Sequence, residues 1–221
     1  MIQRRHRTCL ALLALVTGCA PAKSPEPAVP MRDEPYHHLT FENRYVAVYD
    51  VTLPRNALMR FHAHPTNHLA VVVDSGRMEN EIQGSPPRVN PTGPSGNLVY
   101  LEAGPPHRQR NIGTTVVRFV AVEVLASPKA GEPATPPAKG GDRRSAPDGR
   151  PGCHVALEEI DIQAWRCRLV AGDSAPARSE AAPFLRVTPA SGSAVWHEKG
   201  ASSVTTNPGP SVVEFVDLVW R

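Results

Sequence analysis

The chain has 221 residues, 41% hydrophobic and only 5% aromatic, with 24 Lys and Arg against 21 Asp and Glu. Arg4, Arg5 and Arg7 sit at the extreme N-terminus, and the other 21 basic residues balance the 21 acidic ones. A chain neutral beyond its first few residues carries no electrostatic footprint for nucleic acid, and so few aromatics leave any core to Val, Leu and Ile.

Residues 1–18 read as a leader. "MIQRRHRT" is basic without an acid, and "CLALLALV" is an apolar run too short for a permanent membrane span. The leader closes on "VTGCAP", residues 16–21, which resembles the bacterial lipobox. That resemblance implies cleavage before Cys19 and acylation of Cys19 as the membrane anchor. Ala20 follows, with no Asp at that position, which fits an outer-membrane lipoprotein facing the periplasm. Cys9 then leaves with the leader, so Cys153 and Cys167 remain in an oxidising compartment. There they either form a disulfide or stay as two buried thiols.

Residues 19–36 contain "PAKSPEPAVPMRDEP" and read as an extended Pro-rich tether. Residues 37–126 form a first folded block. Residues 127–152 have almost nothing apolar to bury and read as a disordered linker or long surface loop. Residues 153–221 form a second block.

Both blocks predict all-β structure. "YVAVYDVTL", "HLAVVVDSG", "GNLVYLEAG" and "TTVVRFVAVEVL" are short runs of Val, Tyr, Phe and Leu bounded by Gly, Pro, Asn and Asp. No window holds a 3.6-residue apolar period over three turns. Short strands at regular spacing suggest a double-sheet jelly roll. The blocks also repeat each other. Laying 96–123 on 192–219 matches 10 of 28 positions, including Gly96/Gly192, Asn111/Asn207, Gly113/Gly209 and Phe119/Phe215. The same turn punctuation occurs twice, so the chain reads as two copies of one β unit.

Three histidines crowd "RFHAHPTNHLAVVVDSG", residues 60–76. On a strand, His62 and His64 face one side and Ala63 the other, with Phe61 and "LAVVV" able to wall a pocket. "GNLVYLEAGPPHRQRN" then places His107 and Asn111 behind Gly96 and Gly104. These two segments resemble the paired motifs of the cupins, small β-barrels that set metal ligands in the barrel mouth. Every spacing of the second motif is kept, with Glu102 where Pro is usual. In the first, Asn56 replaces the leading Gly, a mild change because Asn tolerates a left-handed turn.

The resemblance implies a cupin double-stranded β-helix, duplicated, with a shortened second copy. It implies one divalent metal held by His62, His64 and His107. The carboxylate ligand is missing: one register puts Leu69 at its position, giving three His, and the shorter register puts His68 there, giving four. A neutral imidazole set suits Fe(II) best and also accepts Zn, Mn or Ni. It leaves open positions and net positive charge, which favours anionic ligands and the dioxygenase chemistry of carboxylate-free cupins. In the second copy Ser203 stands where His107 does, and the site is lost. Gln109, two residues after His107, is a candidate hydrogen-bond donor behind the ligands. Arg60 is a candidate contact for an anionic substrate, and Tyr100 a candidate proton donor. His37, His38, His154 and His197 read as solvated.

Two functions follow. One is an envelope-anchored, oxygen-dependent dioxygenase of a small molecule. The other is a non-catalytic ligand-binding or assembly protein whose metal is structural or absent. Both take a small-molecule ligand, touch the membrane only through the anchor, and leave a homodimer open. The leader and the neutral charge exclude DNA binding.

Overall fold

The computed structural model describes residues 26–126, 152–159, 162–175, 182–200 and 205–220. The leader, Cys19 and the stretch 127–151 lie outside the described residues. The first unit comprises β1 (Val29–Pro30), a 3₁₀ turn (Met31–Asp33), β2 (His37–Glu42), β3 (Val46–Leu53), β4 (His62–Ala63) and β5 (His68–Asp74). It continues with β6 (Arg77–Ile82), β7 (Arg88–Pro91), β8 (Leu98–Leu101), β9 (His107–Asn111) and β10 (Val117–Val124). The second unit comprises β11 (Cys153–Glu158), β12 (Ile162–Leu169), β13 (Ser174–Ala175) and β14 (Phe184–Thr188). It ends with β15 (Ser193–His197), β16 (Thr205–Thr206) and β17 (Val213–Trp220).

The first unit is a jelly roll of two five-stranded sheets, ordered β1-β4-β9-β6-β7 and β2-β3-β10-β5-β8. Among the described residues the second has one five-stranded sheet, β11-β12-β17-β14-β15, and the two-stranded pair β13-β16. This is the duplicated, shortened architecture expected from the repeat.

Side-chain alternation sorts the central strands onto two cores. From β3 and β10, Tyr49, Val51, Leu53, Val117, Phe119 and Ala121 point into the first barrel, where they pack with Met31, Met59, Val72 and Met78. Val46, Val48, Val120 and Val122 point the other way and join Leu69, Val71, Leu185, Val187, Val216, Leu218 and Trp220 in a core shared by both units. The large sheets therefore meet face to face, which is why β3 and β10 read as unbroken aliphatic runs.

The junction repeats itself with the charges exchanged. Arg118 donates two 2.8 Å hydrogen bonds to Asp50 and reaches the Ser191 carbonyl at 3.4 Å. Arg166 donates to Glu214 and to the Ser95 carbonyl, both at 3.1 Å. A Cβ at Gly96 would lie 2.9 Å from the Arg166 guanidinium, and one at Gly192 2.9 Å from that of Arg118. Both glycines also have positive φ, and that backbone conformation is what favours Gly twice at this turn.

The Pro-rich stretch does not stay free to residue 36, as the tether reading expects. The Val29 amide donates to the Phe61 carbonyl, β1 pairs in parallel with β4, and Met31 and Glu34 are buried. A backbone ladder and one buried apolar side chain are enough to dock this arm on the barrel.

Candidate metal centre

The first barrel brings five histidines to one cavity, His37, His62, His68 and His107 from strands and His64 from just beyond β4. His62 on β4 lies directly opposite His107 on β9. Their ring centres are 4.6 Å apart, and His64 is 5.1 Å from His62 and 5.2 Å from His107. The two distant motifs thus converge on one point. Asn56, before the first motif, has φ 63° and makes the left-handed turn there.

The environment keeps these imidazoles neutral. Burial pushes the pKa of His62 down to about 4 and those of His64, His68 and His107 to about 3, and neighbouring rings add to the effect. The His62 Nδ1–H donates to the Arg60 carbonyl at 3.0 Å, leaving Nε2 to offer its lone pair. His64 Nδ1 and His68 Nδ1 are buried without a hydrogen-bond partner among the described residues. Orphaned buried nitrogens are costly, and a cation is one group that relieves the cost. The donor set therefore fits a divalent transition metal.

His68 sits at the site, and Leu69 does not. β5 alternation turns Leu69 into the core between the two units and leaves His68 and Ala70 facing the cavity. His68 stacks on His64, with ring centres 3.6 Å apart and planes 9° apart. The His107 ring is parallel to both, its centre 5.2 Å from that of His64 and 6.3 Å from that of His68.

The other sequence candidates divide. Gln109 lines the cavity beside the histidines. Arg60 is exposed and does not line it; its contribution is through the backbone, with its carbonyl holding His62. Tyr100 packs against the shared core, while Val99 and Leu101 on either side of it face the cavity. The proton-donor role for Tyr100 is thus overturned by strand alternation. Cys153 and Cys167 face each other on β11 and β12 and are joined as a disulfide.

Reading the sequence alone missed three residues. His37 is buried and not solvated, because β2 sets it opposite inward-facing Val51. Nitrogens of His37, His62 and His64 all lie within 4.8 Å of one another. Glu34 accepts at 2.8 Å from His37 Nδ1. Burial alone would raise the Glu34 carboxyl, but hydrogen bonds from His37 and the Tyr36 and Arg60 amides hold it below its ordinary value. Glu123, on β10 across from His68, places Oε1 3.6 Å from His64 Nδ1, too far for a hydrogen bond, and burial raises its carboxyl. The signal for Glu123 was present: it is an acid in the inward phase of an aliphatic strand. Of the remaining histidines, His38 and His154 are exposed, and His197 stacks on Phe184 at 4.4 Å.

The rings open into a cavity of about 230 Å³, walled by Val51, Ala70, Met78, Val99, Phe119 and Ala121. Asn80, Asn90 and Gln109 line it too, but no Lys, Arg, Asp or Glu does so among the described residues.

No protein-family model and no curated protein matches the chain. Solved structures do. AerE from Microcystis aeruginosa superposes with a TM-score of 0.54 at 12% identity, over 85% of this chain and 98% of that one. A cupin 2 conserved barrel protein from Leptotrichia buccalis gives 0.46 at 9% identity, over 84% and 88% of the two chains. A cupin domain from Bordetella pertussis gives 0.38 at 20% identity, over 41% and 92%. The described residues form a duplicated double-stranded β-helix (jelly roll), a fold this chain shares with AerE.

Proposed function

We propose that the first barrel binds one divalent metal, Fe(II) foremost, through His62, His64 and His107, and oxidises a small molecule with oxygen in the cell envelope. The observation that carries this reading is the convergence of three neutral imidazoles from distant segments within 4.6–5.2 Å. Iron(II) there supplies one-electron redox chemistry towards oxygen. The chain supplies the rest. Three facing imidazoles leave other positions open. The buried Glu34 carboxylate behind His37 offsets one charge of a divalent ion, and the neutral imidazole set leaves the other to the ligand, which favours an anionic, chelating molecule. Apolar walls exclude water, and the Asn80 Oδ1, buried without a partner among the described residues, accepts a hydrogen bond from that ligand. The Cys153–Cys167 disulfide and the Cys19 lipobox support an oxidising, membrane-anchored setting.

Metal analysis of protein isolated from the envelope without chelator tests this. Stoichiometric iron is expected, lost in both His62→Ala and His107→Ala, with substrate-dependent oxygen uptake lost alongside it. Metal-free protein whose stability is the same in both variants would instead leave a non-catalytic ligand-binding barrel.

A further inference from the structure

The Glu34–His37 pair belongs to neither histidine motif, yet it is built into the same centre. His37 lines the cavity with His62, His64 and His107. Its ring centre lies 4.8 Å from that of His62 and 6.3 Å from that of His64. Glu34 occupies its Nδ1, so Nε2 is the nitrogen left to face the other rings. That is the arrangement of His62, whose Nδ1 is held by the Arg60 carbonyl. A carboxylate behind an imidazole fixes the tautomer and raises the basicity of the free nitrogen, as it does behind metal-ligating histidines generally. The carboxylate is itself fixed from three sides. The side chain of Glu34 is fully buried and accepts from His37, from the Tyr36 amide at 2.8 Å and from the Arg60 amide at 3.3 Å. So much buried hydrogen bonding around one imidazole is not needed merely to seat a strand end.

We infer that His37, oriented by Glu34, is a further ligand of the metal held by His62, His64 and His107, and that the docked N-terminal arm thereby closes the centre. This rests on the metal reading above. It places a ligand at the start of β2, oriented by a carboxylate on the docked arm, where the usual motifs have none. The arm and the ion then stabilise each other, since coupling of two binding events is reciprocal.

The test uses Co(II) as a spectroscopic probe and Zn(II) as competitor on the full chain. His37→Ala is expected to weaken Co(II) binding by at least ~10-fold and to change its visible absorption, with added free imidazole restoring the original spectrum. Glu34→Gln, which preserves volume, is expected to weaken binding in the same direction. His38→Ala, on the exposed face of the same strand, is expected to change nothing. An unchanged spectrum and affinity in His37→Ala, with binding abolished in His62→Ala, would overturn the inference while leaving the metal reading standing. A wild-type chain that takes up no Co(II) would overturn both. Should His37→Ala fail to fold, hydrogen exchange in the wild type decides. The amides of Val29 and Arg60, which tie the arm down, are expected to exchange at least ~10-fold more slowly with Zn(II) present, and equal rates would sink the inference.

Discussion

The two barrels share a frame and differ in what fills it. Asn111 donates to the Leu53 and Thr115 carbonyls and accepts from the Gly113 amide. Asn207 makes the same three bonds, to Leu169, Ser211 and Gly209. Strand registers extend the match, since Val71–Val120 in the first barrel corresponds to Val187–Val216 in the second. Inside, the correspondence inverts. Ala70 and Ala121 pair where the second barrel has Arg186 and Asp217. His37 and Val51 pair where it has the disulfide cysteines. His68 and Glu123 give way to Phe184 and Val219. Arg186 forms a two-pronged 2.7 Å pair with fully buried Asp217 and lies 4.1 Å over the Phe215 ring. Where two alanines border the cavity of the first barrel, the second unit carries a buried ion pair. A site on this fold is thus a matter of a few inward positions, with the frame untouched.

The buried ion pair should dominate the stability of its barrel. Arg186→Met leaves Asp217 buried and unpaired, and is expected to cost about 3–5 kcal/mol in urea unfolding. A cost under ~1 kcal/mol would mean that the ion pair only fills space. The disulfide comes next. Replacing Cys153 and Cys167 together with Ser is expected to cost about 3 kcal/mol. In such a variant, metal uptake by the first barrel should be preserved, and a loss of uptake would show that the barrels are not independent. The smallest effect tests the shared frame. Asn111→Ala and Asn207→Ala should each cost about 1–3 kcal/mol by orphaning one buried and one half-buried carbonyl, and the two costs should agree within the scatter of such measurements. A neutral Asn207→Ala would show that the second frame has relaxed along with its interior.

Much of this was legible in the residues themselves. The duplication and the jelly-roll class follow from turn glycines and aliphatic alternation, while the meeting of His62, His64 and His107 was implied by the resemblance to the cupin motifs. Turn glycines and alternation are local signals, fixed by backbone sterics and by the two-residue period of a strand. The centre's other members were hidden for the opposite reason. His37 stands in a polar stretch, and only its pairing with Val51 turns it inward. Glu34 becomes part of the site through an arm that docks on β4. Tyr100 carried plausible chemistry and Leu69 stood at a ligand's position in one register, but the second unit covers the face they occupy. The sequence by itself determined the fold and half of the centre, because repeating local patterns encode strands and turns. Which side chains share the cavity was decided by tertiary structure, because burial and proximity depend on partners distant along the chain.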